Sequence, residues 1–548
     1  MANTFVARED RAHPAFFWFG SAAVLLGVLL HLPMFIEAAS MNYVLVGMPI
    51  DWHMEIGMTL IVGGTLAAWY GLLPPAPDRS NAGLDAAEPS LLAALAASPA
   101  EGGLRWVHWR LMFVLALGLI IDSMKPASLG FTIPGMMQEY GLSRETVALF
   151  PLFALIGLTI GSYAWGAIAD QVGRRAAILL SGIMFVGTSI CGTMPGFLWN
   201  LAMCFFMGLA AGGMLPIAYT LLAECMPSRQ RGWALVLLGG LGLTGGYFAA
   251  SGGAALFEPH FGWRIMWLLN APTGVMLILC NYLIPESPRF LVLRGRMMEL
   301  RATVRQFGVP LNFQRQPGNS ATPPDESARI LLRRPLLSAT VILNLAAVSW
   351  GLVNFGLLLW LPDELRARGY GVAGSDVLLF QSALIAMPTM FGVAWLYGQW
   401  STKWTLFTLM VLTALALVGL SLIDSGMHWI HGNPLAVTSV LMVGINGIVA
   451  ALLPYSAESY PVAVRGRGTG LVAGSSKFGG LVVQAGAAAA FIPALGVASL
   501  GLAVPFAASA AMLAYYGKET RGRELDHSVP TQLGEAEAAV AAAANSRQ

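Results

Sequence analysis

Asp122 and Lys125 stand three positions apart inside a long apolar run, Ile121-Asp-Ser-Met-Lys-Pro126, and Lys477 interrupts another run in the second half of the chain. At that spacing Asp122 and Lys125 share a helix face. Asp122 follows Arg110 by 12 residues and Lys477 follows Arg467 by 10, so they lie roughly 18 and 15 Å along their helices at 1.5 Å per residue. If both runs start at the same membrane face, all three charges reach the bilayer midplane. Charge there is costly and marks a functional site by default. The chemistry on offer is proton exchange at a carboxylate and attraction of an anion by ammonium groups. Asp122 is the expected proton carrier, with Lys125 and Lys477 as anion partners. Asn354, Gln381, Asn446, Tyr163 and Tyr219 are further polar groups for the same cavity. The competing reading is that Asp122 and Lys125 only neutralise each other and that Lys477 snorkels. A structural pair in lipid seldom recovers its desolvation cost.

Other reactive residues lead less far. Asp51, His53 and Glu55 resemble metal ligands, but on a helix two residues turn His53 about 200° away from the acids. His31 is a lone histidine in an apolar run and is read as packing. The four cysteines, Cys191, Cys204, Cys225 and Cys280, suit neither a metal site nor a disulfide framework. No G-x-x-x-x-G-K-[ST] loop is present, and no nucleophile, base and metal converge. An enzyme is therefore not expected, nor any cofactor or metal.

The elements that must position these charges are membrane helices. Hydrophobic residues make up 56% of the chain and charged ones 11%, against about 25% charged in soluble domains. A net charge of +2 implies no nucleic-acid partner; the partner is the lipid bilayer. Apolar runs occur at about 15–36 and 56–74. Twelve more begin near Trp106, at about 107–130, 146–169, 174–194, 198–222, 233–256, 264–284, 336–361, 377–398, 404–423, 434–456, 467–490 and 494–516. One phrase, A-E-x-x-P-x-x-x-R-G, occurs twice, at Ala223–Gly232 and Ala457–Gly466, offset by 458 − 224 = 234 residues. At the same offset Gly240, Gly245 and Gly246 fall on Gly474, Gly479 and Gly480. Each phrase joins two apolar runs, the mark of a duplicated transporter. Gly208-x-x-x-Gly212 and Gly242-x-x-x-Gly246 permit close helix packing.

The expected organisation is two accessory transmembrane helices (1–75), a linker (76–105), a six-helix bundle (106–284), a polar inter-bundle loop (285–335), a second six-helix bundle (336–516) and a tail (517–548). The stretch 286–335 holds nine arginines (289, 294, 296, 301, 305, 315, 329, 333, 334) against four acids (286, 299, 325, 326). Arg174 and Arg175, Arg229 and Arg231, and Arg465 and Arg467 fall on the same side. Basic loops stay in the cytoplasm, which puts both termini there, in a cell inner membrane.

Gly166-Ala-Ile-Ala-Asp170-Gln-Val-Gly173-Arg174-Arg175 resembles the signature loop of the major facilitator superfamily, G-x-x-x-D-R-x-G-R-R, with Gln171 where arginine is usual. The matching loop of the second half, Trp395–Lys403, has lost the acid. Pro285-Glu-Ser-Pro-Arg-Phe-Leu291 and the duplicated phrases resemble the sugar-porter and organic-ion branches. The first core helix resembles that of aromatic-acid and metabolite:proton symporters, with Lys125 where a second acid is usual. The resemblance covers about residues 106–516. It implies an all-α fold of two six-helix bundles, here with two extra N-terminal helices. It also implies a gating network of Gly166, Asp170, Gly173, Arg174, Arg175, Glu224, Arg231, Glu286, Arg289, Glu458 and Arg465, which closes the cytoplasmic side of the outward-open state. Cys204 replaces an arginine that begins the fourth core helix of many relatives.

The expected function is secondary active transport by alternating access: proton symport of a small organic anion, a carboxylate or aromatic acid. The alternatives are a drug or metabolite exporter, or a sugar permease. Intramembrane lysines argue against a neutral sugar.

Overall fold

The computed structural model describes residues 13–73, 103–294, 296–308, 331, 336–424, 434–461 and 464–521. Arg8 and Arg11, most of the expected linker, Arg315, Asp325, Glu326, Arg329, Arg333, Arg334 and the tail beyond 521 lie outside the described residues.

Among the described residues twelve helices are long and apolar enough to cross a membrane. They are α1 (Pro14–Met41), α3 (Trp106–Tyr140), α4 (Arg144–Val172), α5 (Arg174–Thr193), α6 (Phe197–Cys225), α7 (Arg229–Phe261), α8 (Ile265–Leu283), α11 (Leu337–Ala367), α12 (Val372–Trp400), α13 (Thr402–Ile423), α14 (Pro434–Ser459) and α16 (Leu495–Tyr516). Two helices of similar length complete the set, α2 (Trp52–Leu72) and α15 (Arg465–Ala488). Glycines, serines and Lys477 dilute the apolar character of α15, yet it packs along α11 and α4 within the bundle. The short α9 (Pro288–Leu293) and α10 (Met297–Phe307) follow the first half. The architecture is two six-helix bundles, α3–α8 and α11–α16, plus the α1/α2 pair.

Glycine sets how the helices meet. A Cβ on Gly212 would come within 2.5 Å of the Leu158 carbonyl oxygen, so α6 and α4 touch backbone to backbone there. The repeated glycines do the same work in each half. Gly246 of α7 packs on Ser123 and Met124 of α3, and Gly480 of α15 packs on Phe355 of α11. The duplication is therefore spatial: α7 lies on α3 as α15 lies on α11. Across the halves α7 meets α12 and α14, α4 meets α15, and α3 meets α11.

The α1/α2 pair is joined by the same device. A Cβ on Gly27 would lie 2.6 Å from the Gly57 carbonyl oxygen, and one on Gly64 would lie 2.7 Å from that of Gly20. The pair packs on α5. Its connecting loop donates the amides of Leu45 and Val46 to Glu139 Oε1, at 2.8 and 3.3 Å. His31 is fully buried, with Nδ1 at 2.7 Å from the Gly27 carbonyl. His53 does reach Asp51, at 2.7 Å. Asp51 is the extended residue before α2, so the helical rotation that should separate the two does not apply. Among the described residues no three such groups cluster as metal ligands.

Candidate functional site

Between the halves lies a cavity of about 560 Å³, lined by α3, α4, α6 and α7 on one side and α11, α14 and α15 on the other. It extends to Ala223, Ala457 and Gly466, in the repeated phrases, and so reaches the basic end. At the other end it stops at Leu358 and Leu359. There a Cβ on Gly130 of α3 would lie 2.6 Å from the Leu359 carbonyl oxygen, so the two halves are in backbone contact.

Asp122 and Lys477 are the charged residues of this lining. They come from opposite halves, and each is in electrostatic reach of the other. Asp122 is buried and its Oδ1 has no hydrogen-bond partner. Asn354, Asn446, Tyr163 and Tyr219 also face the cavity. The Tyr219 hydroxyl is buried without a partner, close to Gly239 of α7.

Two expected site residues lie elsewhere. Lys125 is absent from the lining and points into the first bundle. Its Nζ donates to the Phe185 carbonyl at 2.6 Å and to Thr188 Oγ1 at 2.7 Å, and it lies 4.5 Å from the centre of the Phe185 ring. Those partners engage the ammonium inside the α3–α5 interface, outside the cavity lining. Gln381 is exposed on the outer surface of α12. Sequence reasoning missed Tyr247 and Trp350. Tyr247 lines the cavity with an unpartnered hydroxyl. The Trp350 indole donates to the Ile445 carbonyl at 2.8 Å and fixes one wall. Both sit in runs whose apolar residues gave no pointer to the cavity side.

At the basic end the expected gating residues are present, but each half keeps its own set. In the first half Arg174 lies 3.6 Å from Asp170 and 3.4 Å from Glu224. Glu224 also accepts from the Ser287 hydroxyl. Glu286 accepts from the amide of Arg174 at 2.8 Å, capping the start of α5. Gly173, at φ +101°, makes that turn and faces Glu286. Arg175 donates to Asn281 at 2.9 Å, Gly166 faces open space and Arg289 is exposed.

The second half builds the same device with different residues. Glu458 accepts from Tyr397 at 2.9 Å and from Thr520 at 2.6 Å, and Glu519 accepts from the Thr402 amide at 3.0 Å at the start of α13. The acid missing from the loop of the second half is thus supplied by the segment after α16. Glu286-Ser287 and Glu519-Thr520 are offset by 519 − 286 = 233 residues, a signal that extending the repeat search would have caught. Arg231 and Arg465 are in electrostatic reach of each other across the mouth, with buried guanidinium nitrogens that have no hydrogen-bond partner. Among the described residues no ion pair joins the halves at this end.

The opposite end is locked. Arg144 of α4 bonds Asp363 and, at 2.8 Å, Glu364 of α11. Arg366 of α11 bonds Glu258 of α7 and Asp376 of α12, both at 3.2 Å. The cavity is therefore open at the basic end and closed at the other.

A central cavity with charges from both bundles, ion pairs at one end and an open mouth at the other, describes a multi-pass membrane transporter. A family model, Major Facilitator Superfamily, matches residues 111–484, and the chain belongs to that superfamily; it is a transporter and not an enzyme. A niacin transporter, NiaP, of Acinetobacter baylyi is 27% identical over 435 residues, covering 76% of this chain and 96% of that protein. A 4-hydroxybenzoate transporter, PcaK, of Pseudomonas aeruginosa is 27% identical over 406 residues, covering 68% and 84%. A gallate transporter of Pseudomonas putida is 26% identical, covering 74% and 91%. The xylose transporter XylE from E. coli, in a partially occluded inward-open structure, shares the fold at a TM-score of 0.60 and 15% identity, covering 77% of this chain and 100% of that one.

Proposed function

We propose that the protein is a proton-coupled symporter of a small organic anion, a monocyclic aromatic carboxylate. The observation that carries this is that Asp122 and Lys477, from opposite halves, lie in electrostatic reach of each other in a cavity whose described lining carries no other charge. Lys477 holds the carboxylate, since a hydrogen bond to a charged group is worth about 1.5–3 kcal/mol. Tyr163, Tyr219, Tyr247 and Trp350 offer ring faces and hydroxyls to an aromatic body. Asp122 competes with the anion for Lys477 while ionised. Protonating Asp122 releases the lysine, so proton and anion favour each other. The relatives that transport niacin, 4-hydroxybenzoate and gallate support this substrate class.

The basic end faces the cytoplasm in this reading, by the distribution of arginine and lysine, with both termini on that side of an inner membrane. The cavity then opens inward. The glutamate and arginine groups of the two phrases control gating: in the outward-open state Arg231 and Arg465 reach the glutamates that each half now holds for itself.

Uptake of labelled nicotinate, 4-hydroxybenzoate, a sugar and an amine into proteoliposomes, with and without a pH gradient, tests the reading. Acid outside should drive uptake of the carboxylates alone. In ligand titrations the parent's affinity should fall as pH rises, whereas Asp122→Asn should bind with a flat pH profile. Lys477→Ala should weaken carboxylate binding about 10- to 100-fold. Carboxylate uptake indifferent to the gradient would refute the coupling, and unchanged affinity in Lys477→Ala would refute the anion site.

A further inference from the structure

The closed end holds a cluster that the cavity chemistry does not use. Glu258, Asp376 and Arg366 are all buried or nearly so, with side-chain exposures of 6%, 0% and 13%. One guanidinium nitrogen, Arg366 Nη2, serves both carboxylates. It lies 3.2 Å from each oxygen of Glu258 and 3.2 and 3.3 Å from those of Asp376. The two carboxylates are also within hydrogen-bonding reach of each other. Ser375 Oγ donates to Asp376 Oδ1 at 3.1 Å, and the Tyr247 hydroxyl lies in electrostatic reach of Asp376. The neighbouring ion pairs at this end are separate: Arg144 with Asp363 and Glu364, Arg368 with Glu364, and Arg264 with Glu139, while the His260 ring lies against Phe261. Two carboxylates against one cation leave one negative charge uncompensated in a buried site, which is strongly unfavourable. Two carboxylates in hydrogen-bonding contact are stable when they share a proton.

We propose that Glu258 and Asp376 form a second proton-binding site, separate from Asp122, which holds one proton when this end of the transporter is closed. Glu258 belongs to the first half, and Asp376 and Arg366 to the second. Opening the end pulls Glu258 away from both. The two carboxylates then face water singly, and the shared proton leaves to solvent on that side. Closing takes one proton back. Acid therefore favours closure of this end, and rising pH favours its opening. Because one proton is exchanged, the open-to-closed ratio changes by up to about tenfold per pH unit.

The experiment measures this gate without transport. Spin labels at Gln138 and Tyr370, on opposite halves at the closed end, report its opening by pulsed distance measurement. All samples carry Asp122→Asn, which removes the cavity carboxylate, so a failure of the cavity reading leaves this test intact. From about pH 5 to about pH 8 the long-distance population should grow in this background. Adding Glu258→Gln should hold the end closed with little pH dependence, since the amide can donate to Asp376 without a titrating proton. Asp376→Asn should do the same from the other side and serves if the first variant folds poorly. A flat pH profile without these substitutions, or an unchanged one with them, would overturn the proposal. So would closure that follows sodium at fixed pH, because the bound cation would then be a metal ion.

Discussion

Lys125 and Asp122 stand less than one helical turn apart, and a small angular difference divides their surroundings. Three residues turn a helix by 300°, leaving them about 60° apart. That is enough for Asp122 to face the cavity while the lysine stem runs into the α5 interface. The sequence made the charges and their depth legible, but not which side of α3 the neighbouring helices would occupy. Lys477 was legible because it stands alone on a small-residue helix. The expected consequence separates the two lysines. Lys125→Ala leaves the Phe185 carbonyl and Thr188 without their donor and should destabilise the first bundle by about 1–3 kcal/mol. Its anion affinity should stay within about threefold of the parent while Lys477→Ala loses tenfold or more. Melting and ligand titration on the same preparations decide it; equal losses of affinity in both variants would restore Lys125 to the binding site.

At the scale of the element, each half ends by sending a glutamate back to the start of its own third helix. The amides of Arg174 and of Thr402 donate to Glu286 and Glu519 respectively. The two glutamates nevertheless titrate differently. Burial dominates at Glu286 and lifts its carboxyl above the usual range, despite hydrogen bonds from the amides of Ser287, Arg175 and Arg174. Burial also pulls Glu519 upward, but it is more exposed, and bonds from Ser401, Thr402 and the Arg521 amide outweigh that pull and hold it at about 2. A carboxyl lowered on folding contributes stability that is fully present above its unfolded pKa, about 4.5, and is lost as pH falls toward 2. Between about pH 5 and pH 3 the parent's melting temperature should therefore fall more steeply than that of Glu519→Gln. Parallel curves would mean the cap contributes nothing. The residues of the first cap were legible through their resemblance to known loops, but as a salt-bridge network; Glu286 instead accepts backbone amides at the start of α5. The second was hidden because Lys518-Glu519-Thr520-Arg521 lacks the Pro-Glu-Ser-Pro-Arg pattern that marks the first, and its loop has lost the acid. The order of the helices was legible from hydropathy, α15 included, but not every end: α3 runs on to Tyr140 where the apolar run stops near 130, and α11 to Ala367 where it stops near 361.

The whole molecule adds a peripheral pair of helices to a duplicated core. The sequence showed the pair of helices but not its docking site, which depends on glycine contacts and on two amides meeting Glu139. We propose that residues 1–100 are an accessory unit. A chain starting near residue 101 should insert and keep the core fold, with a lower melting temperature because α5 loses its cover. No folded core, beside a well-behaved full-length control, would make the pair integral. Near the mouth at the basic end Arg231 and Arg465 lie in electrostatic reach of each other, with Glu224 in reach of the first and Glu458 of the second but, among the described residues, no carboxylate bonded to either guanidinium. We propose that these unbonded guanidiniums draw anions toward the mouth, within a Debye length of about 8–10 Å at ordinary ionic strength. An anion leaving the cavity lingers there, and one outside is drawn back. Salt added on that face alone should therefore slow anion capture and hasten release, while salt on the other face leaves both rates unchanged. The same turnover would then run with unequal resistance in its two directions, a rectification set by two side chains that never touch the bound substrate.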